Sequence, residues 1–207
     1  VRDLPFSEIQ SYFPWHCTFL NDANAGAFAE GIGSNLPSSF FYLSLSNTVG
    51  GAIFHDGNLL PGDAFRCGEA GHMTLIPDGK PCYCGKTGCV DAYCSARLLS
   101  DLSGGRLEDF FLELQQNNRE YRSVWDTYLK HLAVVINNLH MILDYDIVLG
   151  GYVGSFLTPW LDTIRRLVAE RNTFEDDGSF VKLCTYQTGA AAYGAAMDVM
   201  EEFLRTV

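Results

Sequence analysis

Apolar positions along the chain repeat with two spacings, one typical of strands and the other of helices. Continuous or alternating apolar runs predict strands at 17–20, 40–45 and 51–54, and Asp56-Gly57 after the last of these favours a hairpin turn. Apolar residues three and four positions apart predict a long helix over about 121–143 with one broad core face. Strand-like and helix-like segments therefore alternate, which indicates the α/β class.

Two shorter helices are predicted from their end signals. Asn21-Asp22 directly follows the first apolar run and is a helix-start pair, with the helix continuing to about Glu30. A second helix is predicted over 91–102 and ends at Gly104-Gly105. The first of these places polar side chains immediately after a predicted strand.

The last third of the chain has the pattern of a strand-helix-strand unit. A strand at 147–149 ends in Gly150-Gly151, and a helix over about 156–171, a strand near 180–184 and a small-residue helix over 188–203 follow. Such a unit predicts parallel strands whose carboxyl ends form a ligand-binding crevice. No Pro/Ser-rich linker divides the 207 residues, so one compact unit is expected.

Composition excludes several classes of protein. Hydrophobic residues make up 47% of the chain and charged residues 19%, which is typical of a folded protein. Fourteen Lys and Arg against 25 Asp and Glu give a net charge of −11, which opposes direct contact with nucleic acid. The longest apolar runs are far shorter than the roughly 20 residues of a membrane span, so no membrane segment is expected and a cytoplasmic location is predicted. Because the chain begins at Val1 and not at Met, we expect it to be a piece.

Seven cysteines occur, and three of them are closely spaced. Cys82-Tyr-Cys84-Gly-Lys-Thr-Gly-Cys89 places three thiols within eight residues, with two glycines where a tight knuckle needs positive φ. A fourth ligand is available from Cys94 or from His72. Cys94 falls within a predicted helix, whereas His72 follows Gly71 and can fold back, so His72 is preferred. The pattern predicts a closed, structural Zn²⁺ site, and buried free cysteines at a turn are the competing interpretation.

These motifs resemble those of the ROK family, which contains bacterial sugar kinases and NagC/XylR-type transcriptional repressors. Glu69-Ala-Gly-His72 followed by the C-x-C-G-x-x-G-C run carries the resemblance, and Leu20–Asn24, Ile147–Gly151 and Thr188–Ala196 agree with it. The resemblance spans nearly the whole chain. It implies an actin-like, RNase H-like lobe with a mixed sheet, flanking helices and a zinc knuckle.

The resemblance also implies how the chain is organised. Residues 1–207 would be the C-terminal lobe, with the sugar and zinc motifs at 67–95, a helical segment at 106–143 and a nucleotide-side segment at 144–207. The N-terminal lobe would precede Val1 and, in a regulator, would include a DNA-binding helix-turn-helix. A homodimer is expected on the same ground.

Functional residues follow from the resemblance, position by position. The sugar-binding residues would be Asn21, Asp22, Glu69, His72 and Asp91. Asp22 would also be the catalytic general base in a kinase, although a helix N-cap is an equally concrete role for it. The zinc ligands would be His72, Cys82, Cys84 and Cys89. A kinase would use ATP and Mg²⁺, with nucleotide contacts from Thr48, Gly50, Gly51, Gly150 and Gly151.

Three departures from the family pattern weaken the prediction of catalysis. The segment 46–52 carries Ser46, Asn47 and Thr48 where family kinases have a glycine-rich phosphate turn. Asp91 stands where the family commonly has a longer Glu, and the lobe with the family's D-x-G-x-T motif is not in the chain. The sequence therefore favours a sugar-sensing effector domain of a ROK regulator. An ATP-dependent hexose kinase is the alternative, and a zinc-stabilised oligomerisation lobe without a small ligand is a third interpretation.

Overall fold

A five-stranded mixed sheet, in the order β3-β2-β1-β4-β5, organises the molecule. The computed structural model describes residues 5–206, so the ends of the predicted unit 1–207, Val1 included, lie outside the described residues. The strands are β1 (Phe40–Leu45), β2 (Val49–His55), β3 (Asn58–Leu59), β4 (Asp146–Gly150) and β5 (Val181–Leu183). Strands β1 to β3 form an antiparallel meander, whereas β1, β4 and β5 are parallel. The predicted α/β class and mixed sheet are confirmed.

Alternate residues of β1 point to two different cores. Phe40 and Tyr42 pack with Ala23 and Ala27, while Phe41 and Leu43 join the larger core on the opposite face. The α-helices within residues 5–206 are α1 (Phe6–Gln10), α2 (Asp22–Gly33), α3 (Asp91–Cys94), α4 (Ala96–Ser100), α5 (Leu107–Gln115), α6 (Arg119–Leu143), α7 (Gly151–Gly154), α8 (Leu161–Ala169) and α9 (Ala190–Thr206). Helices α2 and α9 pack together on the Phe40 side, and α6 and α8 pack on the Phe41 side. Within the described range, no helix combines the length and apolarity that a membrane span requires.

The long predicted helix is confirmed as α6. It begins after Asn118, whose side-chain oxygen accepts from the N–H of Glu120, and ends at Asp144 in the left-handed conformation. Its buried residues, Leu132 and Ile136 among them, form the predicted core face. The segment 106–143 accordingly contains two helices, α5 and α6.

The strand predicted at 17–20 is wrong. These residues have no regular secondary structure, and the backbone N–H of Cys17 donates to the side-chain oxygen of Gln10 at 2.7 Å. Among the residues the structure describes, no strand lies beside this segment to accept its ladder hydrogen bonds. An apolar run becomes a strand only when it has such a partner.

The single helix predicted over 91–102 is broken at Ser95. Ser95 has an extended backbone (φ −74°, ψ 153°) between α3 and α4. The cause is a long-range hydrogen bond, because the N–H of Ala96 donates to the carbonyl of Ser46 at 2.7 Å. The break therefore joins this segment to the turn that precedes β2. Similarly, the helix predicted over 156–171 is regular only as α8, after a 3₁₀ turn that contains Pro159.

Candidate functional site

Two adjacent polar residues, Asn21 and Asp22, have different positions at the start of α2. Asn21 is the helix N-cap, and its side-chain oxygen accepts from the N–H groups of Ala23 and Asn24 at 2.9 and 3.2 Å. Asp22 is the first residue of the helix and is exposed, and its Oδ1 lies 2.9 Å from the same N–H of Ala23. The cap that the sequence offered as an alternative role for Asp22 is therefore supplied by Asn21.

Asp22 lines a polar cavity of about 250 Å³ where the carboxyl ends of β1 and β4 meet. Its walls come from the end of β1, the following turn, the turn after β4 and the start of α9, and they include Ser44, Ser46, Thr48, Gly151 and Thr188. In open α/β sheets this edge is where ligands bind. The polar side chains of these walls and the carboxylate of Asp22, which can accept from a hydroxyl group, suit a hydroxylated ligand better than an apolar one.

Gly151 lets the turn after β4 pass close to the end of β1. Its φ is +76°, and a Cβ added there would lie 2.7 Å from both the backbone N of Leu45 and the Oγ of Ser46. Only glycine therefore fits at this position. Gly150 is also constrained, since its Cβ would overlap the ring of Tyr42.

Gly50 and Gly51 each pack tightly against a neighbouring segment. A Cβ on Gly50 would lie 3.3 Å from the Cβ of Ala23, and one on Gly51 would lie 2.5 Å from the carbonyl of Gly68. These close contacts explain structurally why glycine occupies both positions. Thr48 and Gly151 line the cavity, whereas Gly50, Gly51 and Gly150 do not, and the nucleotide role of all five stays a prediction.

Asp91 holds the beginning of β2. Its Oδ1 accepts from the backbone N–H of Val49 at 2.6 Å, and the residue is buried. Burial raises the pKa of Asp91 above its ordinary value, while the Val49 N–H and the nearby His72 counteract part of that rise. One carboxylate oxygen is thus committed to the backbone of the turn.

Val49 and Gly50 connect the separate motifs of the sequence. The carbonyl of Val49 lies against Gly71, next to His72, and Gly50 packs against Ala23, next to Asp22, so closely that an added Cβ would lie 3.3 Å from the Cβ of Ala23. Glu69 is exposed just before the 3₁₀ turn Ala70–His72. The start of α2 and the turn that carries His72 therefore both contact the beginning of β2, at Val49 and Gly50.

Four predicted metal ligands form one cluster. The ligand atoms of His72, Cys82, Cys84 and Cys89 all lie within 4.8 Å of one another. The Sγ atoms of Cys84 and Cys89 are 3.8 Å apart. A tetrahedral zinc site with Zn–S bonds of about 2.3 Å requires a sulfur–sulfur separation of about 3.8 Å. The residues therefore fit a closed Zn²⁺ site.

The chain folds back to bring His72 to the cysteines, as predicted from the glycine before it. Leu75 N donates to Gly88 O at 2.8 Å, and Val90 N donates to Met73 O at 2.9 Å, so the two segments run side by side. Cys94 is fully buried in α3 and does not belong to the cluster. The geometry favours His72 over Cys94 as the fourth ligand.

Cys84 and Cys89 of the cluster have pKa shifts in opposite directions. The pKa of Cys84 is lowered, chiefly because the backbone N–H of Lys86 donates to its sulfur. Burial, and then contacts with the neighbouring thiols, raise the pKa of Cys89 to about 12. A bound cation would stabilise all three thiolates at neutral pH, since metal ligation deprotonates a thiol.

Sequence reasoning missed Tyr83, the middle residue of the C-x-C motif. Its hydroxyl lies 3.2 Å from Nε2 of His72. Burial raises its pKa, and the charges of Asp91 and Glu69 add to the rise. Tyr83 therefore lies close to three predicted sugar-binding residues, and its position between two predicted zinc ligands is the signal that could have identified it.

The fold is shared with a class of sugar-phosphorylating proteins. The protein is an α/β protein whose mixed sheet is similar to that of actin-like sugar kinases. The chain belongs to the ROK family, whose sequence profile matches residues 2–202.

Individual relatives include kinases and a regulator. The N-acetylmannosamine kinase of Salmonella typhi is 30% identical over 189 residues, which cover 86% of this chain and 62% of the relative. The ROK family glucokinase from Streptomyces griseus, solved in complex with glucose and AMPPNP, superposes with a TM-score of 0.76 at 21% identity, covering 92% of this chain and 70% of that chain. A ROK family transcriptional regulator, a homologue of the E. coli MLC protein, has a TM-score of 0.70 at 20% identity and covers 92% and 54%. The chain thus spans less than two thirds of the length of the curated relative it matches.

Proposed function

We propose that this chain is the C-terminal lobe of a ROK sugar kinase, which transfers the γ-phosphoryl group of ATP to a hydroxyl of a hexose or an N-acetylhexosamine. The observation that carries the proposal is the position of Asp22, which lines the polar cavity while Asn21 caps the helix. Asp22 is not the N-cap residue, and although its Oδ1 accepts from the N–H of Ala23, its carboxylate lines the cavity at the carboxyl edge of the sheet, where it can take up a proton. The similarity to N-acetylmannosamine kinase supports an amino sugar as the substrate class.

In this proposal, Asp22 accepts the proton of the attacking sugar hydroxyl. ATP with Mg²⁺ supplies the phosphoryl group and neutralises its charge. Glu69 and His72 hold sugar hydroxyls, and the amide N–H groups of Asn21 remain available because its oxygen is used by the cap. Asp91 offers its second carboxylate oxygen, since Oδ1 is bound to Val49 N–H.

The turn at 46–48 leaves less room for a nucleotide phosphate than a glycine-rich turn would. Thr48 and Gly151 line it and would contact phosphate, while Gly50, Gly51 and Gly150 would act by letting the backbone approach. The side chains of Ser46 and Thr48 occupy space that glycines would leave open. Hydroxyl groups can also donate to phosphate, so these residues are compatible with a bound nucleotide.

Zinc has a structural role in the proposal. His72, Cys82, Cys84 and Cys89 would hold one Zn²⁺ with no open coordination position, and the 3.8 Å sulfur separation supports this. The metal would fix the orientation of His72, so that its second ring nitrogen can meet a sugar hydroxyl. The hydroxyl of Tyr83 lies 3.2 Å from Nε2 of His72.

The remaining parts of the proposal concern the whole protein. The unit 1–207, with its motifs at 67–95, 106–143 and 144–207, would act with an N-terminal lobe and as a homodimer. The relatives' greater length supports the additional lobe.

A sugar-sensing regulator is the second candidate function, and one observation favours it. Ser46, Asn47 and Thr48 replace a glycine-rich turn and line the cavity next to Asp22. The similarity in fold to a ROK transcriptional regulator is consistent with this function. In that case the sugar would bind without being phosphorylated, and a helix-turn-helix outside this chain would contact DNA.

A coupled ATP-consumption assay on the full-length protein decides between the two functions. The assay is run with N-acetylmannosamine, N-acetylglucosamine, glucose and mannose, and binding of each sugar is measured in parallel by calorimetry. We expect turnover with at least one sugar that binds. Sugar binding without turnover for any of them would support the regulator and contradict the kinase.

A further inference from the structure

A second group of possible metal ligands lies at the C-terminal end of α6. His140 is on the last turn of the helix, Asp144 caps it, and Glu175 belongs to the loop between α8 and β5. One ligand atom from each of the three lies within 4.8 Å of those of the other two. The group shares no residue with the cysteine cluster.

The ring of His140 is held in one orientation. It stacks on Phe180 with a centroid separation of 3.6 Å, and its Nδ1 lies 2.8 Å from the carbonyl of Tyr145. Because a carbonyl can only accept, Nδ1 carries a hydrogen, and in the neutral ring Nε2 then holds the lone pair. A histidine that ligates a metal is normally oriented in this way, with its other ring N–H on a backbone carbonyl or carboxylate.

Nε2 of His140 faces a carboxylate oxygen of Glu175 that accepts no hydrogen bond from the described residues. The side chain of His140 is only 8% exposed, and Nε2 is 3.4 Å from Oε2 of Glu175. Within residues 5–206, no group donates a hydrogen bond to this buried oxygen. Two acceptors that face each other in a buried place repel, unless a cation or a proton lies between them.

The loop that carries Glu175 is fixed by its own hydrogen bonds. The side-chain oxygen of Asn172 accepts from the N–H of Phe174 at 2.7 Å and of Glu175 at 2.9 Å. These bonds hold the backbone at Glu175, whose Oε2 lies 3.4 Å from Nε2 of His140. Asp144 is exposed, so solvent reaches the third side of the group.

We propose that His140, Asp144 and Glu175 bind a first-row divalent transition-metal ion. One imidazole nitrogen and two carboxylates are typical ligands of Mn²⁺ or Zn²⁺, whereas Mg²⁺ and Ca²⁺ prefer oxygen ligands alone. Water completes the coordination on the exposed side of Asp144. The ion connects the end of α6 to the loop before β5, and thus stabilises the edge of the sheet that holds β4 and β5.

Mn²⁺ is the probe that tests this site, because it binds nitrogen and oxygen ligands and has little preference for the thiolates of the cysteine cluster. The free Mn²⁺ signal is followed by electron paramagnetic resonance as the full chain is titrated without nucleotide. Glu175→Gln and Asp144→Asn each remove one ligand charge, and Asn is well tolerated in the left-handed cap position of residue 144. Asp176→Asn is the matched control, since this exposed aspartate is in the same loop but outside the group.

We expect about one Mn²⁺ per chain, and at least about a tenfold weaker affinity in Glu175→Gln and in Asp144→Asn. Asp176→Asn and Cys84→Ser should bind Mn²⁺ as the unaltered chain does. The proposal is overturned if the unaltered chain shows no saturable binding, in which case a proton alone lies between His140 and Glu175. It is equally overturned if all the variants bind with the same affinity.

Discussion

The carboxylate of Asp91 and the backbone N–H of Val49 form a buried hydrogen bond of 2.6 Å. The two residues are 42 positions apart, one directly after the cysteine cluster and the other at the first residue of β2. This bond attaches the predicted zinc knuckle to the turn that lines the Asp22 cavity. The segments predicted to bind sugar, metal and nucleotide are thereby connected by a direct hydrogen bond.

Replacing Asp91 tests how much this connection contributes to stability. Asp91→Ala leaves the Val49 N–H buried without an acceptor, which should lower the free energy of unfolding by about 1–3 kcal/mol. Asp91→Asn keeps an acceptor oxygen and should cost less. Urea denaturation measures both variants, and equal losses in the two would show that the hydrogen bond is not what Asp91 contributes.

Zinc removal should loosen the knuckle without unfolding the sheet. Cys84 is an exposed member of the cluster, so Cys84→Ser removes a ligand at little packing cost. We expect the variant to lose about one zinc equivalent per chain in metal analysis. Hydrogen exchange should become faster across 67–95 and stay unchanged in α6.

The matched control for that experiment is Cys184→Ser, a cysteine outside the cluster. It should retain zinc. Equal zinc content in Cys84→Ser and the unaltered protein would refute the ligand set.

Gly151 should be far less replaceable than another glycine of similar conformation. Gly105 has a φ of +89° with open space around it, whereas a Cβ on Gly151 would meet the backbone of Leu45. Gly105→Ala should cost about 1–2 kcal/mol, from the left-handed conformation alone. Gly151→Ala should cost more in thermal or urea unfolding, because the steric contact adds to the conformational penalty, and similar losses would contradict this view of the turn.

His131 should give the protein a component of acid sensitivity. Burial lowers the pKa of His131 below its usual 6.5, and the positive charge of Lys80 adds to the effect. The unfolded chain then binds a proton more readily than the folded one, so stability falls as the pH is lowered below about 6.5.

Thermal unfolding between about pH 5 and pH 7 measures this component as the difference between the unaltered chain and His131→Gln. The unaltered chain should lose more stability on acidification than the variant does. The opposite sign would show that His131 is stabilised in its charged form.

Some elements of the fold depend only on their own segment of the sequence, and others depend on distant residues. The apolar spacing of α6 is sufficient to predict that helix, because periodicity is a property of the segment itself. The strand predicted at 17–20 fails for the opposite reason, since a strand depends on a neighbour that the segment does not contain. The break at Ser95 likewise depends on the distant carbonyl of Ser46.

The candidate site likewise has features that the sequence spacing predicts and features that depend on the fold. The dense C-x-C-G-x-x-G-C spacing predicts three members of the cluster, and folding places His72 beside them. The capping role of Asn21, the Asp91–Val49 bond and the position of Tyr83 depend on side-chain orientation. No spacing rule in the sequence specifies those orientations.

The variant Asp22→Asn tests most directly whether Asp22 is the general base of a sugar kinase. Because Asn21 caps α2, the variant should fold, and its sugar affinity, measured by calorimetry, should remain within about threefold of the unaltered value. We expect kcat of the full-length protein to fall by about 100-fold or more. Unchanged turnover in Asp22→Asn, or loss of turnover only in proportion to lost sugar binding, would contradict it.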